Sequence, residues 1–166
     1  MPIPTTKSEL VTIFGCLGAA AAESYADCEL RDGIQLLRYL FLHHAWKYVV
    51  ADGDSQWIDD AIDHASKRPC EPYAGLGHAL ARFRAAGMAD DDLTEMARCL
   101  QAQMLFHVAY ALEADTRFAP PLDDVAWGLF QIDEQGCPFG DRIAALHESV
   151  LETDPTRREM RPKNSP

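Results

Sequence analysis

Histidines are the residues of this chain best suited to chemistry, because a neutral imidazole can bind a metal ion or carry a proton near neutral pH. A metal site in a helical protein can take one histidine from each of several helices. The chain has no Glu-x-x-His or His-x-x-x-His pair, the spacings that place two ligands on one helical face. A helical-bundle metalloprotein or small hydrolase is therefore an alternative and not the leading hypothesis. Its candidate ligands are His43, His44, His64, His107 and His147.

A second candidate site lies in the most apolar stretch of the chain. His107 shares a helical face with Gln103, and Tyr110 follows within one turn. A buried imidazole and a buried amide must both find hydrogen-bond partners. Gln103, His107 and Tyr110 are therefore pocket candidates for a base or a small apolar ligand. The interpretation we favour is a polar pair satisfied inside the core.

Common catalytic motifs are absent from the sequence. There is no glycine-rich phosphate loop and no Gly-x-Ser-x-Gly. The stretch 52–63 resembles a calcium loop only loosely, since Trp57 stands at the glycine place and Asp63 at the bidentate glutamate place. We expect no cofactor. Whether the protein is an enzyme stays open, and the lack of motifs favours a protein that is not one.

The stretch 127–139 is more apolar than a bare surface loop. Trp127, Phe130 and Phe139 are its candidate interaction residues. They could form a patch for a partner or a second subunit, since contiguous exposed apolar residues mark such surfaces. The alternative, which we favour, is that they cover one end of the core.

Charge and cysteine content restrict the functional classes. The net charge is −11, and residues 51–115 carry twelve acidic against five basic groups. Such a surface repels phosphate backbones, so we expect no nucleic acid among the partners. No apolar run is long enough to span a membrane. The five cysteines are scattered and odd in number, and the N-terminus has no signal-peptide pattern, so we expect a cytoplasmic protein.

Periodicity predicts the elements that must position these residues. Apolar residues at helical spacing predict six helices, and a segment near 127–139 favours a short β-hairpin or an extended strand with a turn at 133–136. The helix at 90–114 is apolar almost all round in its second half, which predicts burial on most sides. The predicted helices span about 9–26, 30–51, 56–67, 73–86, 90–114 and 143–151.

The sequence therefore predicts an all-α, single-domain bundle of five or six helices. Residues 1–152 are expected to form the helical domain and 153–166 a flexible polar tail. The leading functional hypothesis is an acidic cytoplasmic protein that acts through protein–protein interaction. Its partner would be either a basic protein, as for a regulatory or immunity-type protein, or a second copy of the same chain.

Overall fold

The computed structural model describes residues 4, 6–113 and 125–163, and these ranges are mostly helical with one short antiparallel hairpin. The predicted fold class is confirmed. The described elements are α1 Lys7–Cys16, α2 Ala22–Asp32, α3 Gln35–Ala45, α4 Gln56–Lys67, α5 Ala74–Ala85, α6 Asp90–Glu113, β1 Leu129–Ile132, β2 Pro138–Ile143 and α7 Leu146–Ser149, with a 3-10 turn at Trp46–Tyr48.

The first predicted helix, 9–26, is wrong as a single element. The chain leaves the helix after Cys16, and Gly18 has a φ of +82°, a conformation that ends helices and that glycine adopts without strain. A new helix, α2, starts at Ala22 and ends at Asp32, followed by Gly33, which has a φ of +72°. Against the predicted five or six helices, the described residues form seven.

Local signals place several other elements correctly. The predicted helix at 56–67 has the observed bounds of α4, and α5 and α6 begin within one residue of their predicted starts. The hairpin turn forms at 133–136, where Gly136 donates its backbone N–H to the carbonyl of Asp133 at 3.0 Å. The carboxylate of Asp133 accepts from the backbone N–H groups of Gln135 and Cys137, which fixes the turn.

The chain divides into two compact units, one formed by residues 1–46 and 102–166 and the other by 47–101. In the first unit, α1, α2 and α3 bury Phe14, Tyr25 and Tyr39, whose ring centroids lie 5.3–5.5 Å apart. In the second unit, α4 and α5 pack with the start of α6 around Ile58, Leu80 and Leu93. The separate aromatic and aliphatic clusters give each unit its own core.

One helix start in the first unit is capped from elsewhere in the chain. Ile34 precedes α3 and offers no side-chain hydrogen bond to it. The buried carboxylate of Glu29 in α2 instead accepts the backbone N–H of Leu36 at 2.7 Å. Since the first N–H groups of a helix lack intrahelical partners, Glu29 satisfies one of them and neutralises part of the positive helix end.

The predicted burial of the second half of α6 on most sides is wrong. Within the first unit, the buried residues of α6 are Ala102 and Ala109, whereas Met104 is 62% exposed and Val108 47% exposed. Gln103 and His107 are exposed too, so they are not a polar pair inside a core. Apolar residues are distributed all around this half of the helix. The side that carries Ala102 and Ala109 is the side buried against the rest of the unit.

The C-terminal segment is attached to α3 through Trp46. The buried indole donates to the carbonyl of Val150 and to the hydroxyl of Thr153, both at 3.1 Å. The buried carboxylate of Asp154 accepts from the backbone N–H groups of Thr156 and Met160. The division into a 1–152 domain and a flexible 153–166 tail stays a prediction, and residues 164–166 lie outside the described ranges.

None of the described helices is both long enough and apolar enough to cross a lipid bilayer.

Candidate functional site

The end of α6 brings a carboxylate and an imidazole together. Oε2 of Glu113 lies 3.0 Å from Nδ1 of His147, and Oε1 lies 3.0 Å from the backbone nitrogen of His147. The side chain of Glu113 is 9% exposed and that of His147 is 23% exposed. Ala145, the residue before α7, provides no side-chain cap. Glu113 therefore caps α7 and orients the imidazole with the same carboxylate.

Two aromatic rings border this imidazole. The ring of Phe106 lies 5.7 Å from that of His147 and the ring of Tyr110 lies 5.1 Å from it, both nearly perpendicular to the imidazole. Edge-to-face contacts at these distances are favourable, since the edge of one ring meets the π-face of another. When the neutral ring donates to the carboxylate through Nδ1, its lone pair lies on Nε2. We name Glu113 and His147 together the Glu113–His147 pair.

The hairpin is joined to the same end of α6. The indole of Trp127 donates to the carbonyl of Ala111 at 2.7 Å, and the guanidinium of Arg142 donates to the carbonyl of Glu113 at 3.3 Å. The last carbonyls of a helix have no intrahelical donors, so these two side chains take the place of a cap. The hairpin, α7 and α6 thus meet around the Glu113–His147 pair within one unit.

Next to the rings that contact His147, α6 carries an exposed face that has no charged residue. Phe106 and Val108 are two residues apart, so their side chains point about 160° apart around the helix. The face on the side of Val108 contains only apolar residues, an amide and an imidazole. We name it the uncharged α6 face, and its members are Gln103, Met104, His107, Val108 and Ala111, all of them exposed.

The three residues predicted to line one pocket are all exposed in the structure. Tyr110 contacts the imidazole of His147, whereas Gln103 and His107 belong to the uncharged α6 face. The described cavities lie elsewhere in the first unit. A groove of about 760 Å³ lies along α1 and α2, lined among others by Ala19, Cys28 and Arg31. A pocket for Gln103, His107 and Tyr110 stays a prediction without a geometric basis.

The five histidines proposed as metal ligands lie on four elements, α3, α4, α6 and α7. His43 stacks on Tyr39 in its own helix, with ring centroids 6.3 Å apart, and His44 is exposed. His64 is half-buried in α4, and His78, outside that set, lies 3.3 Å from the carbonyl of Pro69. Within residues 4, 6–113 and 125–163, no three His, Cys, Asp or Glu side chains are grouped so as to hold a metal ion.

The predicted interaction residues of the hairpin are exposed to similar extents. Trp127, Phe130 and Phe139 are 42%, 39% and 49% exposed. In the antiparallel register Gln131 pairs with Phe139 and Ile132 with Pro138. Phe130 and Ile132 therefore share one face of the hairpin, which is exposed. Trp127 differs from the others because its indole also anchors the hairpin to α6.

The sequence analysis missed Glu113 and Phe106 as site residues. Glu113 is one of many acids, and nothing in its neighbourhood along the chain indicates that it caps a helix 33 residues later, a relationship that only the fold creates. A weak signal existed at Ala145, since a helix start without Ser, Thr, Asp or Asn requires a cap from elsewhere.

The second unit holds a charged cluster that the sequence analysis also missed. The guanidinium of Arg84 contacts the carboxylates of Asp59 at 2.6 Å and Asp90 at 2.7 Å. The hydrogen bond from Arg84 lowers the pKa of Asp90 below its usual value. The cluster is partly exposed to solvent and joins α4, α5 and the start of α6. We therefore interpret it as a structural contact within that unit.

The chain matches no protein-family model, no curated protein and no solved structure closely enough to indicate a relationship.

Proposed function

We propose that the protein acts through protein–protein interaction, with the uncharged α6 face as its docking surface and a second copy of the chain as its occupant. The observation that carries the proposal is the exposure of Met104 and Val108, at 62% and 47%, one turn apart on one helix. Contiguous exposed apolar residues are uncommon on soluble monomers and mark interaction surfaces. Protein contact would remove these side chains from water.

Charge favours a second copy over a basic partner. The chain carries a net charge of −11, yet α6 has no acidic residue between Glu95 and Glu113. A partner that recognised the protein by its acidity would find no carboxylate on this face. Two copies can instead meet here without placing carboxylates of the two helices opposite each other.

Side-chain size also favours self-association. If two α6 helices pack antiparallel with the two-fold axis between residues 107 and 108, Met104 of one copy faces Ala111 of the other. The large side chain of Met104 then fills the space beside the small side chain of Ala111. Well-packed helix interfaces require such a match. An isologous contact of this kind closes on itself and gives a dimer.

The remaining charges give the interaction a characteristic salt dependence. Each copy is strongly acidic, so the two repel one another at a distance, and salt screens that repulsion over about 10 Å at 0.1 M. We therefore expect dimerisation to strengthen when salt is raised from about 0.01 M to 0.15 M. Binding to a basic protein would weaken under the same change.

The proposed compartment is the cytoplasm. All five cysteines are unpaired, and Cys16, Cys70 and Cys137 are exposed. Free exposed thiols persist in a reducing compartment and tend to form disulfides elsewhere. This supports the interaction taking place inside the cell.

Two single-cysteine variants test the antiparallel arrangement. Met104→Cys and Ala111→Cys are made in a background in which all five native cysteines are replaced by serine. When the two variants are mixed and oxidised, the proposal predicts a disulfide-linked pair containing one chain of each. Either variant alone should link poorly, because its own cysteines would lie about seven residues apart along the paired helices, beyond disulfide reach.

The control replaces Leu40, an exposed leucine of α3, with cysteine. Its mixture with Ala111→Cys should give no more linked product than random collision does. Equal yields from the Leu40 and Met104 mixtures would contradict the proposed dimer. If the protein instead forms a complex with a basic protein, and that complex dissociates when salt is added, the proposal that a second copy binds this face is contradicted.

A further inference from the structure

We propose that His147 is the nucleophile of an acyl-transfer site that takes esters with an aromatic leaving group and passes the acyl group to water. The proposal does not rest on the docking face, since His147 contacts Phe106 and Tyr110, which are not members of that face. It starts from the Glu113–His147 pair, in which a carboxylate that is 9% exposed holds the imidazole through Nδ1 at 3.0 Å.

The geometry leaves Nε2 as the reactive atom. With Nδ1–H donated to Glu113, the lone pair of the ring resides on Nε2, and no described residue makes a hydrogen bond to that nitrogen. The side chain is 23% exposed, so the ring is not closed off from solvent. A histidine oriented by a carboxylate in this way has its tautomer and its ring orientation fixed.

The carboxylate has a second contact that keeps the imidazole in place. Oε1 of Glu113 accepts the backbone N–H of His147 at 3.0 Å, so the same side chain fixes both the backbone and the ring. The carbonyl of Glu113 in turn accepts from Arg142 of β2. Preorganisation of this kind lowers the cost of reaching the transition state, because the reacting group does not have to be oriented first. Glu113 is therefore a positioning residue.

The neighbouring rings indicate the class of substrate. Phe106 and Tyr110 stand nearly perpendicular to the imidazole at 5.7 and 5.1 Å, and both are exposed. An aromatic leaving group placed against either ring would bury apolar surface beside Nε2. Phenyl esters of small carboxylic acids fit this arrangement, since a phenolate also leaves without needing a proton from the protein.

The reaction proceeds in two balanced steps. In the first, Nε2 attacks the ester carbonyl carbon, a nitrogen–carbon bond forms, and the carbon–oxygen bond breaks so that the phenolate leaves with the electron pair. The acylated imidazolium is stabilised by the carboxylate of Glu113. In the second, the oxygen of water attacks the acyl carbon and the nitrogen–carbon bond breaks. The electron pair returns to Nε2. One proton of the water stays on the carboxylic acid, and the other is released to solvent, where it balances the charge of the phenolate.

Hydrolysis of p-nitrophenyl acetate by the full chain tests the proposal. His147→Gln should lower the protein-dependent rate about tenfold or more, within the range by which a positioned histidine contributes. The matched control is His44→Gln, which removes an exposed histidine of α3, outside both the docking face and the Glu113–His147 pair, and should change the rate less than about twofold. Equal effects of the two substitutions would overturn the proposal.

The role of Glu113 is tested by Glu113→Gln and by nitrogen NMR of the imidazole. The substitution keeps a hydrogen-bonding side chain of the same length but removes the charge. It should lower the rate several-fold and shift the His147 ring away from the pure Nδ1–H tautomer, two effects that a purely structural role would not produce together. An unchanged tautomer and an unchanged rate would contradict the positioning role.

A measurement on the unaltered protein covers the case in which His147→Gln fails to fold. Diethyl pyrocarbonate acylates imidazole nitrogen, and mass spectrometry of the digested protein locates the product. His147 should be modified at least several-fold faster than His44, which is more exposed. Faster modification of His44 would overturn the proposal.

Discussion

The indole Nε1 of Trp127 donates a 2.7 Å hydrogen bond to the carbonyl oxygen of Ala111 and thereby joins the hairpin to the last turns of α6. Trp127 was a candidate interaction residue, yet its polar atom is already used within the chain. The bond keeps the hairpin next to the Glu113–His147 pair. The first unit is thus assembled by side chains that satisfy helix carbonyls as well as by apolar packing.

Trp127→Phe should loosen the hairpin without unfolding the protein. The substitution removes the donor and leaves the Ala111 carbonyl to water, which costs about 0.5–1.5 kcal/mol. Amide hydrogen exchange should then speed up in β1 and β2 but not in α1. Phe130→Leu is the control, since it alters an exposed aromatic of the same hairpin that makes no such bond. Equal acceleration in both variants would mean that the hydrogen bond does not hold the hairpin.

Gly77 allows α4 and α5 to approach closely. A Cβ at this position would lie 2.6 Å from Cβ of Ala65 and would overlap the carbonyl of Ala61. Gly77→Ala should therefore destabilise the protein by about 1–3 kcal/mol, the usual cost of overpacking. Gly75→Ala is the matched control two residues away, where a Cβ meets nothing within 4 Å. It should stabilise by up to about 1 kcal/mol through helix propensity, as denaturant unfolding would measure.

Glu29 should contribute more to the stability of the fold than a solvent-exposed glutamate does. Glu29→Ala leaves the Leu36 N–H of α3 without its buried acceptor, so we expect a loss of about 1–3 kcal/mol in unfolding free energy. Glu29→Gln keeps an acceptor oxygen and should lose less. Urea unfolding of both variants checks the order. A glutamine variant as unstable as the alanine variant would show that the hydrogen bond to Leu36 is not the source of stability.

Tyr25 should make the protein sensitive to alkali. Burial raises the pKa of its hydroxyl well above the usual value near 10, and the hydrogen bond to Glu152 raises it further. A raised pKa in the folded state means that the neutral phenol is favoured there. Its contribution to stability is fully present below about pH 10, the unfolded value, and is lost as the pH rises above it. Urea unfolding at a series of alkaline pH values should show this loss, and Tyr25→Phe should reduce its slope. An identical slope in the variant would contradict the assignment.

The parts of the fold that sequence predicted well depend on local signals. The helix at 56–67 is preceded by Asp54 and Ser55 and followed by Arg68–Pro69, so both its ends are specified by neighbouring residues. The turn at 133–136 is fixed by the Asp133 side chain and by glycine in the left-handed conformation. No knowledge of distant contacts is needed for either element.

The parts that sequence could not predict depend on contacts between distant residues. Glu29 and Glu113 cap α3 and α7, whose preceding residues, Ile34 and Ala145, are not capping residues. Such a cap is visible only once the fold places the carboxylate at the helix start. The exposure of Met104 was missed for a related reason, because periodicity shows which residues share a face but not which face another element covers.

The most direct test of the proposed self-association is the molar mass of the protein in solution, measured by light scattering during gel filtration. We expect the unaltered chain at about 0.15 M salt to have twice the 18.5 kDa mass of a single chain. Val108→Glu should have the single-chain mass, because an unpaired carboxylate buried in the interface costs several kcal/mol and each 1.4 kcal/mol weakens binding about tenfold. Leu40→Glu, at a similarly exposed leucine, should remain dimeric. A single-chain mass for the unaltered protein, or a dimer that survives Val108→Glu, would contradict the account.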